Sequence, residues 1–411
     1  MNMSNMTWLG GYTKTQCTYH KDKQYIFNSK RINIVNYFFL SRILLFRSKS
    51  KAVYYGAPCT TARYSTSGKE NKRYNVGILG AGRIASSVHI KNILRNRKLV
   101  VKWIVDDSKD ALANVQDEHL IFDVPFHPSK EVDNLLEDKS LDAVFVFTPT
   151  STHADYICRS LNKGKNVLTE KPTGSTYDEI KLCYETAEKN NKILITGFQR
   201  RFDPLFQDIY AATRNGGIGD IQMIKLTNRD SPKPAYEFLL NTDSEGCNIV
   251  SDLAVHDIDM MVWMTNGELP ESVYTIGHIH DPKLKSARQP DTAVVTLKFK
   301  NGIMCTIDLS RDAVYGYDIR LELFGSGGMA SGESPRRSTS VTDAAHGALL
   351  RQLHHSFPQR FEGAFESLLT HFVDCMDGKT KPLITKEECL LVANISEKAV
   401  QSFVEGRAVQ F

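Results

Sequence analysis

The chain has 411 residues, 41% hydrophobic and 24% charged, which is long enough for two domains and too apolar to stay unfolded. Its net charge of +4 is uneven: residues 1–70 hold eleven Lys and Arg against Asp22 and Glu70, a net of +9, so the remainder carries −5. A mildly acidic body excludes the clustered positive charge that nucleic-acid binding needs, and no apolar run approaches the 18 residues of a membrane span.

The first 73 residues read as a basic leader. They are poor in acids and contain Ser and Thr, and Arg63-Tyr64-Ser65-Thr66-Ser67 resembles a mitochondrial processing site. A transit peptide and a disordered extension both fit that composition. The expected location is soluble and intracellular, in the mitochondrial matrix or the cytoplasm.

Regular structure is predicted from Tyr74. Val76–Leu79 is an apolar run ending in Gly80-Ala81-Gly82, and a helix is expected from Arg83 to Arg95. Strands follow at Leu99–Val105, Leu141–Phe147, Asn166–Thr169 and Lys192–Thr196, alternating with helices at Thr152–Asn162 and Thr176–Lys189. Short apolar strands alternating with helical patterns specify a parallel sheet covered on both faces. Residues 74–196 are therefore expected to form an α/β, Rossmann-type domain.

After Phe198 the pattern changes. A helix over Pro204–Arg214, a strand from Ile221 and a helix over Ile249–Met264 precede four strands, at Ser272–His278, Thr292–Phe299, Ile303–Leu309 and Tyr317–Phe324. Lys300-Asn301-Gly302 is a hairpin signal between two of them. Residues 331–356 read as a surface loop, and helices over Pro358–Met376 and Lys386–Val404 end the chain. Residues 197–411 are expected to form an α+β domain with a large, mostly antiparallel open sheet that binds substrate and mediates oligomerisation.

Gly80-Ala81-Gly82-Arg83-Ile84-Ala85 matches G-x-G-x-x-G/A directly after a strand and at the start of a helix. Gly80 would allow the tight turn and Gly82 close approach of pyrophosphate, and Ala85 would let the helix lie near the sheet. Asp106 ends the second strand, where a carboxylate can bond both ribose hydroxyls of NAD and repel the extra phosphate of NADP. A lone glycine motif is weak evidence; this context makes it specific.

Asp252 and His256 lie four residues apart on an expected helix and so would share a face. An imidazole can remove an alcohol proton at neutral pH, a carboxylate can orient it, and Lys171 can stabilise an alkoxide-like oxygen. Taken singly, these residues could be a surface pair and a loop cation. The eight cysteines have no paired spacing and read as thiols of a reducing compartment. His346, His354 and His355 lack convincing thiol or carboxylate neighbours, so no metal site is expected.

Three further segments carry a family resemblance over about residues 74–401: Thr148-Pro149-Thr150-Ser151-Thr152-His153, Glu170-Lys171-Pro172 and Asp252-Leu253-Ala254-Val255-His256-Asp257-Ile258-Asp259. Together with the glycine motif they resemble the family of glucose–fructose oxidoreductase and inositol dehydrogenase. Phe198-Gln199-Arg200-Arg201-Phe202-Asp203 and Tyr315-Gly316-Tyr317-Asp318-Ile319 are most similar to its inositol 2-dehydrogenase branch. The resemblance implies NAD as cofactor, with Thr148, Pro149, Thr150, His153, Glu170 and Lys171 contributing to its site. It implies Lys171, Asp252 and His256 as catalytic residues, and Arg200, Asp230 and Tyr317 as further substrate contacts. Tyr317 could equally be a packed strand tyrosine, and Arg200-Arg201 a solvated turn.

The implied reaction is oxidation of a ring hydroxyl of a cyclic polyol, myo-inositol foremost, to a ketone. Action on another sugar derivative and a nucleotide-binding regulator without turnover are the alternatives. The implied assembly is a homodimer or homotetramer. The chain departs from the pattern at Asp230-Ser231, where the resembling enzyme has Asn-Pro, and in the Ser/Arg-rich stretch at 331–345.

Overall fold

The computed structural model describes residues 72–240, 249–338, 341–344 and 347–411. The leader before Lys72 and His346 lie outside the described residues.

Six strands form the first sheet: β1 (Tyr74–Leu79), β2 (Leu99–Val105), β3 (Phe126–His127), β4 (Ala143–Val146), β5 (Asn166–Thr169) and β6 (Leu194–Thr196). They are all parallel, in the order β3-β2-β1-β4-β5-β6. Ala143, Val144, Phe145 and Val146 are all buried, because a strand covered on both faces has no solvent side. The order reverses between β1 and β4, and in folds of this kind ligands bind outside the carboxyl ends of the strands at such a reversal.

The second sheet contains β7 (Ile221–Arg229), β8 (Pro270–His278), β9 (Thr292–Phe299), β10 (Met304–Ser310), β11 (Asp318–Gly325) and β12 (Gly328–Gly332). Two more strands, β13 (Val341–Ala344) and β14 (Gly347–Leu350), form a separate hairpin, and β15 (Val409–Gln410) joins the large sheet at β8. Its order is β12-β11-β7-β10-β9-β8-β15, antiparallel except for the pair β7–β10. Ile224, Leu226, Val295, Leu297, Ile307, Leu321 and Leu323 point to the buried side. The helices Val255–Met264 and Lys386–Glu405 pack against strands of this sheet. Asn301-Gly302 makes the expected turn, with Gly302 at φ +92° and Lys298 opposite Met304.

Three expectations need correction. Residues 331–356 are not a plain loop: they contain the end of β12 and the hairpin β13–β14. The expected helix over Pro358–Met376 is divided at Phe361 into Phe357–Arg360 and Glu362–Met376. Neither the expected helix from Arg83 nor that from Ile249 is α-helical throughout, because Ala85–Ile90 and Ile249–Ala254 are π-helical and continue as α-helix at Lys91 and Val255. In a π turn the bonds run i→i+5, which shifts side chains away from α-helical spacing.

Candidate active site

The glycine loop sits at the reversal of strand order. Gly80 has φ +96°, and a Cβ there would lie 2.6 Å from the Phe147 carbonyl oxygen at the end of β4. Only glycine fits both constraints. A Cβ on Gly82, by contrast, would meet nothing within 4 Å, so the protein leaves open the space in front of the following helix. Asp106 turns toward this loop: its Oδ2 accepts from Ala81 N at 2.7 Å and its Oδ1 from Ser108 N at 2.8 Å. Asp107 points elsewhere, accepting from Ser129 N at 2.8 Å and Ser129 Oγ at 2.6 Å.

Behind this loop, two buried side chains brace the segments that follow β4 and β5. His153 is 1% exposed, with Nε2 2.8 Å from the Thr148 carbonyl and Nδ1 2.7 Å from the Pro172 carbonyl. Burial lowers its pKa, the two carbonyls opposing that shift. Glu170 Oε1 lies 2.7 Å from His89 Nε2, and Glu170 Oε2 accepts from Lys171 N at 3.2 Å. His89 in turn stacks on Phe147, with ring centroids 4.0 Å apart. Both ring nitrogens of His153 and both carboxylate oxygens of Glu170 thus have protein partners. They hold the Thr148 and Lys171 segments in register.

The charged centre is assembled from four distant parts of the chain. Lys171 Nζ donates to Asp252 Oδ1 at 2.9 Å and to the Asp252 carbonyl at 2.8 Å. Arg311 Nη1 donates to Asp252 Oδ2 at 2.8 Å and to Asp230 Oδ2 at 3.2 Å. Burial would raise the Asp252 pKa, but Lys171 and Arg311 outweigh it and hold the carboxyl well below its ordinary range. Asp230 shifts the other way, raised by burial and by the neighbouring Asp252, with Arg311 opposing. His256 Nδ1 is buried without a hydrogen-bond partner among the described residues. Burial lowers the His256 pKa well below 6.5, Lys171 and Arg200 add to the shift, and Asp252 opposes it. The imidazole is therefore neutral at neutral pH.

The expected Asp252–His256 pairing does not form. Both Asp252 oxygens bond Lys171 and Arg311. Asp252 lies in the π turn and His256 in the α-helix beyond it, so the four-residue spacing does not carry its α-helical meaning.

Residues 74–198 match a model described as an oxidoreductase family with an NAD-binding Rossmann fold, and residues 206–331 match the GFO/IDH/MocA C-terminal domain. The chain belongs to the GFO/IDH/MocA oxidoreductase family. It is 31% identical to a myo-inositol 2-dehydrogenase of Thermotoga maritima, over 82% of this chain and 98% of that protein. It is 32% identical to an uncharacterised oxidoreductase of Bacillus subtilis, over 82% and 96%. A scyllo-inositol dehydrogenase from Lactobacillus casei, solved with bound NAD(H) and scyllo-inositol, superposes with TM-score 0.75 at 26% identity, covering 82% of this chain and 99% of that one.

This oxidoreductase is an NAD-dependent dehydrogenase acting on a CH–OH group. The fit of its own residues to NAD rests on the tight turn at Gly80, the open space at Gly82 and the Asp106 carboxylate beside the loop.

Two other expected substrate residues of the oxidoreductase are buried. Arg200 is 1% exposed and donates to Asp257 Oδ1 at 2.7 Å. Its neighbour Arg201 pairs with Asp259 at 2.7 Å and with Glu388 at 2.7 Å. The double arginine is not a solvated turn: both side chains pair with aspartates of the helix Val255–Met264, and Arg200 keeps Nε and Nη2 without a hydrogen-bond partner among the described residues. Tyr317 is 4% exposed and packs edge-on to Phe361. Burial drives its pKa well up, with Arg200 opposing.

Arg311 was missed by sequence reasoning. Its signal was a charged residue directly after an alternating strand, uninformative until the partner strand is known. In the parallel pair β7–β10, Ser310 is opposite Arg229, so the next residues, Arg311 and Asp230, emerge side by side. Among the described residues no helix is long and apolar enough to cross a membrane.

Proposed function

We propose that the enzyme oxidises one ring hydroxyl of a cyclic polyol, myo-inositol to scyllo-inosose, using NAD. The observation that carries this reading is the meeting of Lys171, Asp252 and a neutral His256 beside the carboxyl ends of a parallel sheet that bears an open glycine loop. Relatives named for inositol oxidation, from Thermotoga maritima and Rhizobium meliloti among others, support the choice of substrate.

In this reading the backbone at Gly80, Gly82, Arg83 and Ile84 and the small Ala85 would receive the pyrophosphate, and Asp106 the adenosine ribose. Thr148, Pro149 and Thr150 would form the wall on the nicotinamide side. Bound NAD would supply the acceptor for the two electrons leaving the carbinol carbon. His256 would take the hydroxyl proton at Nε2, since Nδ1 is enclosed. Lys171 would donate to the same oxygen as negative charge grows on it. Asp252 would keep Lys171 charged and aimed, with Asp230 completing the polyol pocket.

Chain division at about 74–196 and 197–411 belongs to the same reading, as does a homodimer or homotetramer formed through the outer face of the second sheet. Tyr274, Ile276, Met304, Phe324 and Met329 are 41–58% exposed on strands of that sheet, an apolar set that assembly would cover. Light scattering at dilute concentration tests the assembly, and a fully active monomer would contradict it.

The experiment for the activity is a panel of myo-inositol, scyllo-inositol, glucose and acyclic polyols with NAD, followed by nicotinamide absorbance. Turnover favouring a cyclitol is expected. Tight NAD binding without turnover on any polyol would overturn the reading in favour of a regulator.

A further inference from the structure

We propose that Arg311 and Asp230 form a specificity-determining pair, in which Arg311 joins Asp230 to Asp252 and the free oxygen of Asp230 accepts a hydrogen bond from a second substrate hydroxyl. The proposal rests on the polyol reading above.

Arg311 is 1% exposed, and a single nitrogen, Nη1, serves both carboxylates, at 2.8 Å from Asp252 and 3.2 Å from Asp230. The pair is built into the fold, since the parallel register of β7 with β10 delivers residues 230 and 311 together. Only Oδ2 of Asp230 takes part; its Oδ1 accepts no side-chain hydrogen bond among the described residues, and the side chain keeps 16% of its surface. A carboxylate oxygen so placed accepts a hydroxyl and has nothing to offer an aliphatic carbon.

The charge count makes the same point. A second buried carboxylate beside Asp252 needs a counter-charge, which a neutral amide at position 230 would not. Among the described residues, the ionisable groups that act on Asp230, Asp252 and His256 are Lys171, Arg311, Arg200 and Tyr317. Of these, Lys171 and Arg311 face Asp230 and Asp252, while Arg200 is answered by Asp257.

Removing the guanidinium while leaving both carboxylates forces one of them to hold a proton into the neutral range. R311Q is therefore expected to acquire a new ionisation in its kcat/KM profile between about pH 5 and 8, and to lose about 10–100-fold in kcat/KM at its alkaline end. D230N/R311Q removes the second carboxylate and should lose that ionisation. D230N alone should raise KM for the cyclitol more than it lowers kcat, and should discriminate less against a deoxy analogue lacking one hydroxyl.

Melting temperature against pH provides a readout independent of substrate. A carboxyl whose folded pKa is raised stabilises the fold below that value and loses the contribution as pH rises through it. R311Q should thus fall in stability from about pH 5 to 8 relative to wild type, and D230N/R311Q should not.

If wild type oxidises a cyclitol but R311Q shows neither the new limb nor the pH-dependent melting, the pair is overturned and the activity stands. If D230N leaves KM and deoxy discrimination unchanged, the hydroxyl contact is overturned. If wild type oxidises no polyol, the activity and the hydroxyl contact both fall, and the melting curves alone decide whether Arg311 joins the two aspartates.

Discussion

The glycine loop follows β1 and the charged centre takes Lys171 from just after β5, yet the two are specified in opposite ways. The loop is local: six consecutive residues, Gly80 to Ala85, supply the turn, the open approach and the small helix residue, and Asp106 follows one strand later. The charged centre draws Lys171 from the segment after β5, Asp230 from the end of β7, Asp252 from a π turn and Arg311 from the end of β10. A local site tolerates change in the distant chain. A site built from four elements depends on the register of two sheets, and it can hold a neutral histidine beside four charges.

Breaking the charged centre should have the largest effect. His256→Ala is expected to lower turnover by roughly 10²–10⁴-fold with NAD affinity retained, checked by steady-state kinetics alongside cofactor titration. Near-normal turnover would remove His256 from the proton transfer. Lys171→Ala should lower turnover too, with a larger share in cofactor affinity if, as proposed, Lys171 touches both ligands.

The loop is tested by a pair of glycines. Gly80→Ala must adopt φ +96° and press on the Phe147 carbonyl, a strain of about 1–3 kcal/mol that should weaken NAD binding about 10–100-fold and lower the melting temperature. Gly82→Ala meets no protein atom within 4 Å, so it should melt like wild type while still weakening NAD. If both variants melted alike, the contrast between a fold-imposed and a ligand-imposed glycine would fail.

A smaller effect is expected at the ribose. Asp106→Ser should reduce the preference for NAD over NADP by about tenfold or more. Asp107→Ser should not, since Asp107 bonds Ser129 whereas Asp106 bonds Ala81 N within the glycine loop. Kinetics with both cofactors decides this, and the reverse pattern would assign the ribose to Asp107.

The smallest effect is one of pH. Because burial, Lys171 and Arg200 lower the His256 pKa, the acid limb of kcat/KM should fall below the ordinary histidine value of 6.5. The linked stability has the same sign: the unfolded chain binds a proton at this histidine more readily, so its contribution is present above about pH 6.5 and is lost as pH falls. A limb centred at or above 6.5 would show that Asp252, not burial, governs the imidazole.

The Rossmann half was legible because its signals are short-range. Strands Leu99–Val105 and Asn166–Thr169 have the expected bounds, each marked by an apolar run within a few residues. The two-residue β3 carries too little pattern to read. In the second half the strands were legible but the pairing was not. The parallel β7–β10 pair joins residues some eighty positions apart, and Arg311 acquires its partner only through it. The Asp252–His256 expectation failed because apolar periodicity does not distinguish a π turn from an α turn. His153, Glu170 and Arg200 were recognised in motifs, but a motif does not reveal their protein partners, which the fold supplies as the Thr148 and Pro172 carbonyls, His89 and Asp257.

The most direct test of the whole account follows the carbinol hydrogen. The enzyme is incubated with NAD and myo-inositol deuterated at its ring carbons, and the reduced nicotinamide and the cyclitol product are analysed by mass spectrometry. The account predicts one deuterium in each reduced nicotinamide, an equimolar inosose, and loss of both products with His256→Ala. Reduced nicotinamide without deuterium, or none at all while NAD stays bound, would contradict it.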